Sequence, residues 1–188
     1  MAGDAATKYA TYEDLLSLPE NVTGQIVHGV LYTQPRPAFR HQRGTTRLAT
    51  KLSGRFDSDD HGPPEWFIFA EPEVHFGPNI LVPDIAGWRR STMPEWPDEA
   101  YTTICPDWVC EALSPSTAKF DRIQKLPVYF EFGVSHVWIL DPTEHTVEIF
   151  KHAKGGYQLI GTHKDEDILR AEPFEELAID LAKLWARK

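Results

Sequence analysis

The acidic pair Asp84 and Glu111, with Lys125 following Asp121 on a predicted helix, has the types and spacing that metal-assisted phosphodiester hydrolysis needs. A divalent ion that activates water for attack on a phosphodiester prefers hard oxygen ligands, and Mg2+ takes one or two carboxylates while keeping waters and substrate phosphate. Asp84 follows Pro83 at the end of an apolar run, and Glu111 sits within Trp108-Val109-Cys110-Glu111-Ala112-Leu113. Neighbouring strands would bring these two carboxylates together, with the backbone carbonyl of Ala112 as a third ligand. A lysine beside them can orient or deprotonate the attacking water, or stabilise charge developing on the phosphate. Lys125 is the first candidate for that role and Lys119 the second.

Each residue also has a plain structural reading. Asp84 after a proline suits a strand end, and Asp121 with Lys125 is an ordinary i,i+4 helix pair worth ~0.2–0.5 kcal/mol. Glu111 is the exception, because Val109, Cys110, Ala112 and Leu113 place it in an apolar strand, where an unpaired charge is costly.

The elements that must position these groups follow from periodicity and punctuation. Thr11 caps a short helix that stops at Pro19. Residues 25–34 read as a hairpin broken at His28-Gly29 and forming a sheet edge. Trp66 to Phe76 reads as strand, interrupted at Pro72, and Gly77-Pro78-Asn79 as a turn. Ile80 to Trp88 is the next strand, with Pro83 implying an edge, a bulge or a strand end that re-aims Asp84. The Pro-, Glu- and Asp-rich stretch from Arg89 to Pro106 is a long surface loop of the kind that often covers a site. Trp108 to Leu113 is a buried strand. Ser114 to Thr117 supplies a turn and cap for a helix running to about Phe132 and ending at Gly133, with a kink or later start at Pro127. Val134 to Leu140 is a buried strand, a hairpin follows around Gly155-Gly156, and an amphipathic helix from about Glu175 to Arg187 turns Leu177, Leu181, Leu184 and Trp185 inward.

Between Pro37 and Phe56, Arg40, Arg43, Arg47, Lys51 and Arg55 recur every three or four residues, which places them on one helical face opposite Leu48, Leu52 and Phe56. Such a row is most often a solvated outer face; its sharper reading is a surface that tracks the phosphates of nucleic acid.

A chain of 188 residues with 41% hydrophobic and 25% charged residues suits one domain, 1–188, with residues 1–10 frayed. Cys105 and Cys110 form neither a redox nor a zinc spacing, and reduced thiols point to the cytoplasm. The sequence has no apolar run of membrane-spanning length, so no membrane partner is expected. A net charge of -9 argues against tight nonspecific binding to nucleic acid.

The series Pro83-Asp84, Glu111-Ala-Leu-Ser-Pro-Ser-Thr117, Asp121-x3-Lys125-x3-Tyr129-x3-Gly133-Val134 and Val137-Trp138-Ile139-Leu140-Asp141-Pro142 resembles the Uma-two family of endonucleases, within the PD-(D/E)XK superfamily. The resemblance covers about Thr11 to Leu181. It implies a restriction-endonuclease-like α/β (α+β) fold: a central mixed β-sheet flanked by helices, with an additional N-terminal β-hairpin and C-terminal helix. It also implies a Mg2+ (or Mn2+) site at Asp84 and Glu111 acting on a phosphodiester substrate, with DNA expected. Leu113 stands where the superfamily carries its lysine, so that role passes to Lys125. His41 matches a family position and joins the candidate nucleic-acid contacts. Gln25 stands where the family carries a glutamate, and an amide is the weaker magnesium ligand.

Two functions follow. One is a metal-dependent endonuclease, for which a homodimer would suit cutting both strands; the other is a catalytically inactive module of the same fold that binds nucleic acid or protein. A serine hydrolase built on Ser114 or Ser116 lacks the nucleophile-elbow glycines.

Overall fold

The computed structural model describes residues 9–19, 22–34, 38–60 and 62–185. Of the expected frayed start, residues 1–8 lie outside this set, while Ala10 is bonded through its N–H to the Gly29 carbonyl at 2.8 Å. Helix α1 (Tyr12–Leu16) is closed by a reciprocal capping box between Thr11 and Asp14. Strands β1 (Thr23–Val27) and β2 (Val30–Gln34) turn at His28 and Gly29, whose φ values of 50° and 76° give the hand that matches strand twist. The long helix α2 (Phe39–Phe56) buries His41, Gly44, Leu48, Leu52 and Phe56 along one stripe.

Five strands follow: β3 (Trp66–Ala70), β4 (Glu73–Phe76), β5 (Asn79–Leu81), β6 (Ile85–Arg89) and the two-residue β7 (Tyr101–Thr102). Strand β8 (Trp108–Ala112) leads into α3 (Ala118–Phe120), a π-helical turn (Asp121–Lys125) and α4 (Leu126–Glu131). Then come β9 (His136–Asp141), β10 (Thr146–Ala153) and β11 (Gly156–Lys164), and finally the short pair β12 (Ile168–Leu169) and β13 (Ile179–Asp180) with a 3-10 turn over Leu181–Lys183.

The strands form a six-stranded sheet in the order β11-β10-β9-β8-β6-β3 and a five-stranded one in the order β2-β1-β5-β4-β7. The first is mixed: β8 and β9 are parallel, joined through α3 and α4 as a helical crossover, and every other pairing is antiparallel. Alternation along β8 sends Trp108, Cys110 and Ala112 into a core shared with α2 and the C-terminal segment. Val109 and Leu113 enter a second core shared with α4 and the five-stranded sheet. Glu111 has the parity of Val109 and Leu113, so it enters this second core among apolar neighbours.

Four expectations change. The strand from Ile80 to Trp88 is two strands in different sheets, because Pro83 has no N–H to continue a ladder and the chain crosses between sheets at Val82-Pro83-Asp84. The helix after Thr117 widens instead of kinking: the Leu126 N–H reaches back five residues to the Asp121 carbonyl just before Pro127, and Thr117 makes no side-chain cap. The loop from Arg89 to Pro106 contributes β7 to the five-stranded sheet and no side chain to the acidic cleft described below.

The C-terminal helix is absent among the described residues, and its expected end at 186–187 lies outside them. Leu181, Leu184 and Trp185 are buried and Leu177 packs against the core as its spacing required, but through β13 and a 3-10 turn. Long-range bonds decide this path: Leu181 N–H to Asp167 O at 3.0 Å, and Trp185 Nε1 to Asp165 O at 2.7 Å. No described helix is long and apolar enough to cross a membrane.

Candidate active site

Asp84 is aimed by the crossover between the two sheets. Val82 N–H donates to Gln25 Oε1 at 2.9 Å, the Val82 carbonyl accepts from Lys125 Nζ at 3.1 Å, and the Asp84 carbonyl accepts from Glu71 N–H at 3.0 Å. The Asp84 carboxylate is held at both oxygens: Oδ2 accepts from Ala112 N–H at 2.7 Å and Oδ1 lies 3.2 Å from His41 Nε2. His41 can reach because α2 comes close to the sheet at Gly44, one turn further on, where an added Cβ would stand 3.1 Å from Leu140 Cδ2. Burial would raise the Asp84 carboxyl, yet the bond and charge of His41, the charge of Lys125 and the Ala112 N–H hold it below the ordinary carboxylate range. His41 is correspondingly raised: burial opposes its charge, but Asp84 outweighs burial.

Ile85 pairs antiparallel with Cys110, so Glu111, one residue after Cys110, comes level with Asp84, one residue before Ile85. It is fully buried. Lys125 Nζ donates to its Oε2 at 2.8 Å, and the Tyr129 hydroxyl donates to Oε1. Lys125 Nζ is also 3.6 Å from Asp121 Oδ1. Asp121, Lys125 and Tyr129 follow one another at intervals of four and share the face turned to the sheet, and the π turn that precedes Pro127 carries the first two.

Carboxyl groups outnumber their cationic partners here. Asp84, Glu111 and Asp121 surround a single ammonium, and the cost falls on Glu111: burial pushes its pKa up to about 8, with Asp121 and Asp84 adding to the rise and Lys125 opposing it. Burial likewise raises Asp121 against the pull of Lys125. Lys125 stays above its usual value because Glu111, Asp121 and Asp84 outweigh the desolvation of its charge. It is therefore a fixed cation at neutral pH. Three buried carboxyl groups, with one lone pair left on each oxygen that accepts a single bond, supply the oxygen donors a hard divalent cation prefers. Among the described residues no three acidic, histidine or cysteine side chains converge as a ready-made cage. Two carboxylates, a backbone carbonyl and waters fit Mg2+, which keeps several waters.

These groups line one cleft of about 280 Å3, together with Thr23, Gln25, Gln34, Ala38, His41, Glu71 and Ser114 to Thr117. Gln25 is buried, and its carbonyl oxygen is spent on Val82 N–H. Ala112 lines the cleft as expected. Lys119 instead borders a neighbouring recess with Phe120 and Ile123.

The basic row on α2 is largely turned to another task. Arg43 Nε donates to Trp185 O at 3.1 Å, Arg47 to Lys183 O at 2.7 Å, and Arg55 to Glu176 Oε2 at 2.7 Å, tying the C-terminal segment to the helix. Arg40 is exposed beside the cleft-lining His41, and Lys51 is half-buried. Sequence reasoning did not place Tyr129 or Glu71 in the site. Tyr129 had a signal, the four-residue interval from Lys125; Glu71 had none, because its place depends on a backbone bond to Asp84.

Residues 9–182 match the model of the Uma2 family, described as "Putative restriction endonuclease". The chain superposes on a crystal structure described as "a putative nuclease belonging to DUF820" from Anabaena variabilis with a TM-score of 0.77 and 22% identity, covering 94% of this chain and 97% of that one. The two share a fold. No curated protein matches the sequence.

Proposed function

The chain belongs to the Uma2 family, and on that premise, with the buried acidic cleft, we propose that it is a metal-dependent endonuclease that hydrolyses phosphodiester bonds of DNA. Asp84, Glu111 and the Ala112 carbonyl would hold Mg2+ or Mn2+. When bound, such an ion lowers the pKa of its water and polarises the phosphoryl oxygen. His41 and the Ala112 N–H fix the Asp84 carboxylate, while Tyr129 and Lys125 fix Glu111. Lys125 is kept charged, so it acts by orienting the attacking water and stabilising negative charge on the phosphate, not by taking a proton. One observation carries this reading: a fully buried lysine–glutamate pair whose Glu111 lies one residue beyond the Ile85–Cys110 strand pairing, level with Asp84, with Asp121 as a further carboxyl beside the lysine.

Calorimetric titration of Mg2+ and Mn2+ into the wild type, Asp84→Ala and Glu111→Ala, with a plasmid-cutting assay on the same samples, tests it. Binding by the wild type, lost in both variants, together with metal-dependent cutting, is the expected result. A wild type that binds no metal even with DNA present would overturn it. The second reading, an inactive nuclease-fold module, would then stand. Gln25 favours that reading, since it offers an amide, already hydrogen-bonded, at the cleft wall.

A further inference from the structure

We infer that the aromatic cavity adjoining the acidic cleft receives an unpaired nucleobase of the strand whose backbone lies at Asp84. This inference rests on the endonuclease reading.

The cavity has a volume of about 210 Å3 and is walled by Phe69, Trp88, Trp96 and Tyr101, with Glu73 and Glu99 at its polar positions. That is below the roughly 300–1,000 Å3 of sites for larger organic ligands and suits one planar ring system. Its walls are set in place beforehand. Trp88 Nε1 donates to the Ile104 carbonyl at 2.9 Å, and Tyr101 stacks on His75 with ring centroids 4.0 Å apart and planes 6° from parallel. Trp96 stands edge-on to Phe67 at 4.9 Å, yet 59% of its surface is exposed. A tryptophan held against Phe67 with more than half of its surface exposed can act as a stacking platform, and every base has a face to offer it.

Charge selects the base over the phosphate. The lining holds two carboxylates and neither lysine nor arginine. It therefore repels a phosphate, while the Glu99 carboxylate and the Glu73 oxygen not paired with His75 can accept hydrogen bonds from the amino and imino groups of bases.

Position ties the cavity to the cleft. Ala70, Pro72 and Glu73 line the aromatic cavity, and Glu71, between them, lines the cleft. Glu71 has a left-handed conformation with φ 50°, and its N–H is bonded to the carbonyl of Asp84 at 3.0 Å. A backbone held at Asp84 has an aromatic slot on the far side of this turn, and unstacking a base into such a slot is cheapest where the strand is already single.

The test uses short single-stranded oligonucleotides carrying the fluorescent base 2-aminopurine at each position in turn. They are titrated into Asp84→Asn in Mg2+ and into the wild type in Ca2+. Stacking quenches the probe, so strong quenching at one position is expected. Trp96→Ala in the same backgrounds should remove that quenching and weaken binding about tenfold, and Trp96→Phe should restore much of both. An abasic residue at the quenched position should weaken the wild type but not Trp96→Ala.

If the wild type cuts DNA with Mg2+ while no position is quenched, or Trp96→Ala binds as tightly as its parent, the base pocket is overturned and the endonuclease reading survives. Quenching that depends on Trp96 in a protein that cuts nothing would leave the pocket standing and remove the endonuclease.

Discussion

Two clusters in this protein use the same residue types and differ in their distance from water. In the cleft, Lys125 lies between Glu111 and Asp121, with side-chain exposures of 3%, 1% and 3%, and Asp84 is paired with His41. On the other side of the sheet, Lys151 pairs with Glu172, which also meets His136, and the Lys151 and Glu172 side chains are 46% and 35% exposed. Glu172 is held below the usual carboxylate range by the bonds from Lys151 and His136. Glu111 also accepts a bond from a lysine, yet burial pushes it up to about 8. The residue types alone do not set the two clusters apart. Water relieves the charge at Glu172, and at Glu111 that work would fall to the cation we propose.

The largest difference should come from removing each lysine. Lys125→Ala leaves buried carboxylates without their ammonium and should cost about 3–5 kcal/mol in urea denaturation with chelator present. Pairing it with Glu111→Gln should recover part of that loss, because the two are directly coupled. A Lys125→Ala protein as stable as the wild type would mean that water already enters the cleft and that the contrast with Lys151 is false.

The next test is pH. The folded Glu111 pKa lies above the unfolded value of 4.5, so its contribution is complete below pH 4.5 and is lost as pH rises through about 8. Metal-free protein should therefore lose stability across this window, and Glu111→Gln should flatten the slope. Glu172 has the opposite sign. Its folded pKa is depressed, so its contribution is present above the unfolded pKa and disappears as pH falls through the folded one. Denaturation curves of the wild type, Glu111→Gln and Glu172→Gln at several pH values would separate the two slopes, and slopes of the same sign would break the comparison.

Tyr129→Phe removes the hydroxyl that donates to Glu111 and should cost about 1–3 kcal/mol, because the acceptor stays buried. Lys151→Ala is the smallest effect, at most ~1 kcal/mol and smaller still in high salt.

Much of this could be read from residue order. The hairpin at His28-Gly29 needs two residues with positive φ, and the sequence supplies glycine at one of them. Helix α2 shows its buried stripe in the spacing of Leu48, Leu52 and Phe56. Asp84, Glu111 and Lys125 were legible as a set, because an acid in an apolar strand demands a partner and few residues could answer. The segment after Glu175 was misread for a reason of the same kind. Its apolar residues had to face inward, and the helical spacing was the nearest local way to do it. Arg43 and Arg47 instead hold its carbonyls from across the fold.

The sequence by itself therefore determined which side chains must be buried, where the chain must turn, and which acids could not stand alone, since these follow from local sterics and the cost of dehydrating charge. Only the tertiary structure decided that Pro83 marks a crossing between sheets, that Tyr129 completes the surroundings of Glu111, and that Glu71 divides the cleft from an aromatic cavity. Those outcomes rest on hydrogen bonds between residues far apart in the chain, whose partners no local pattern specifies.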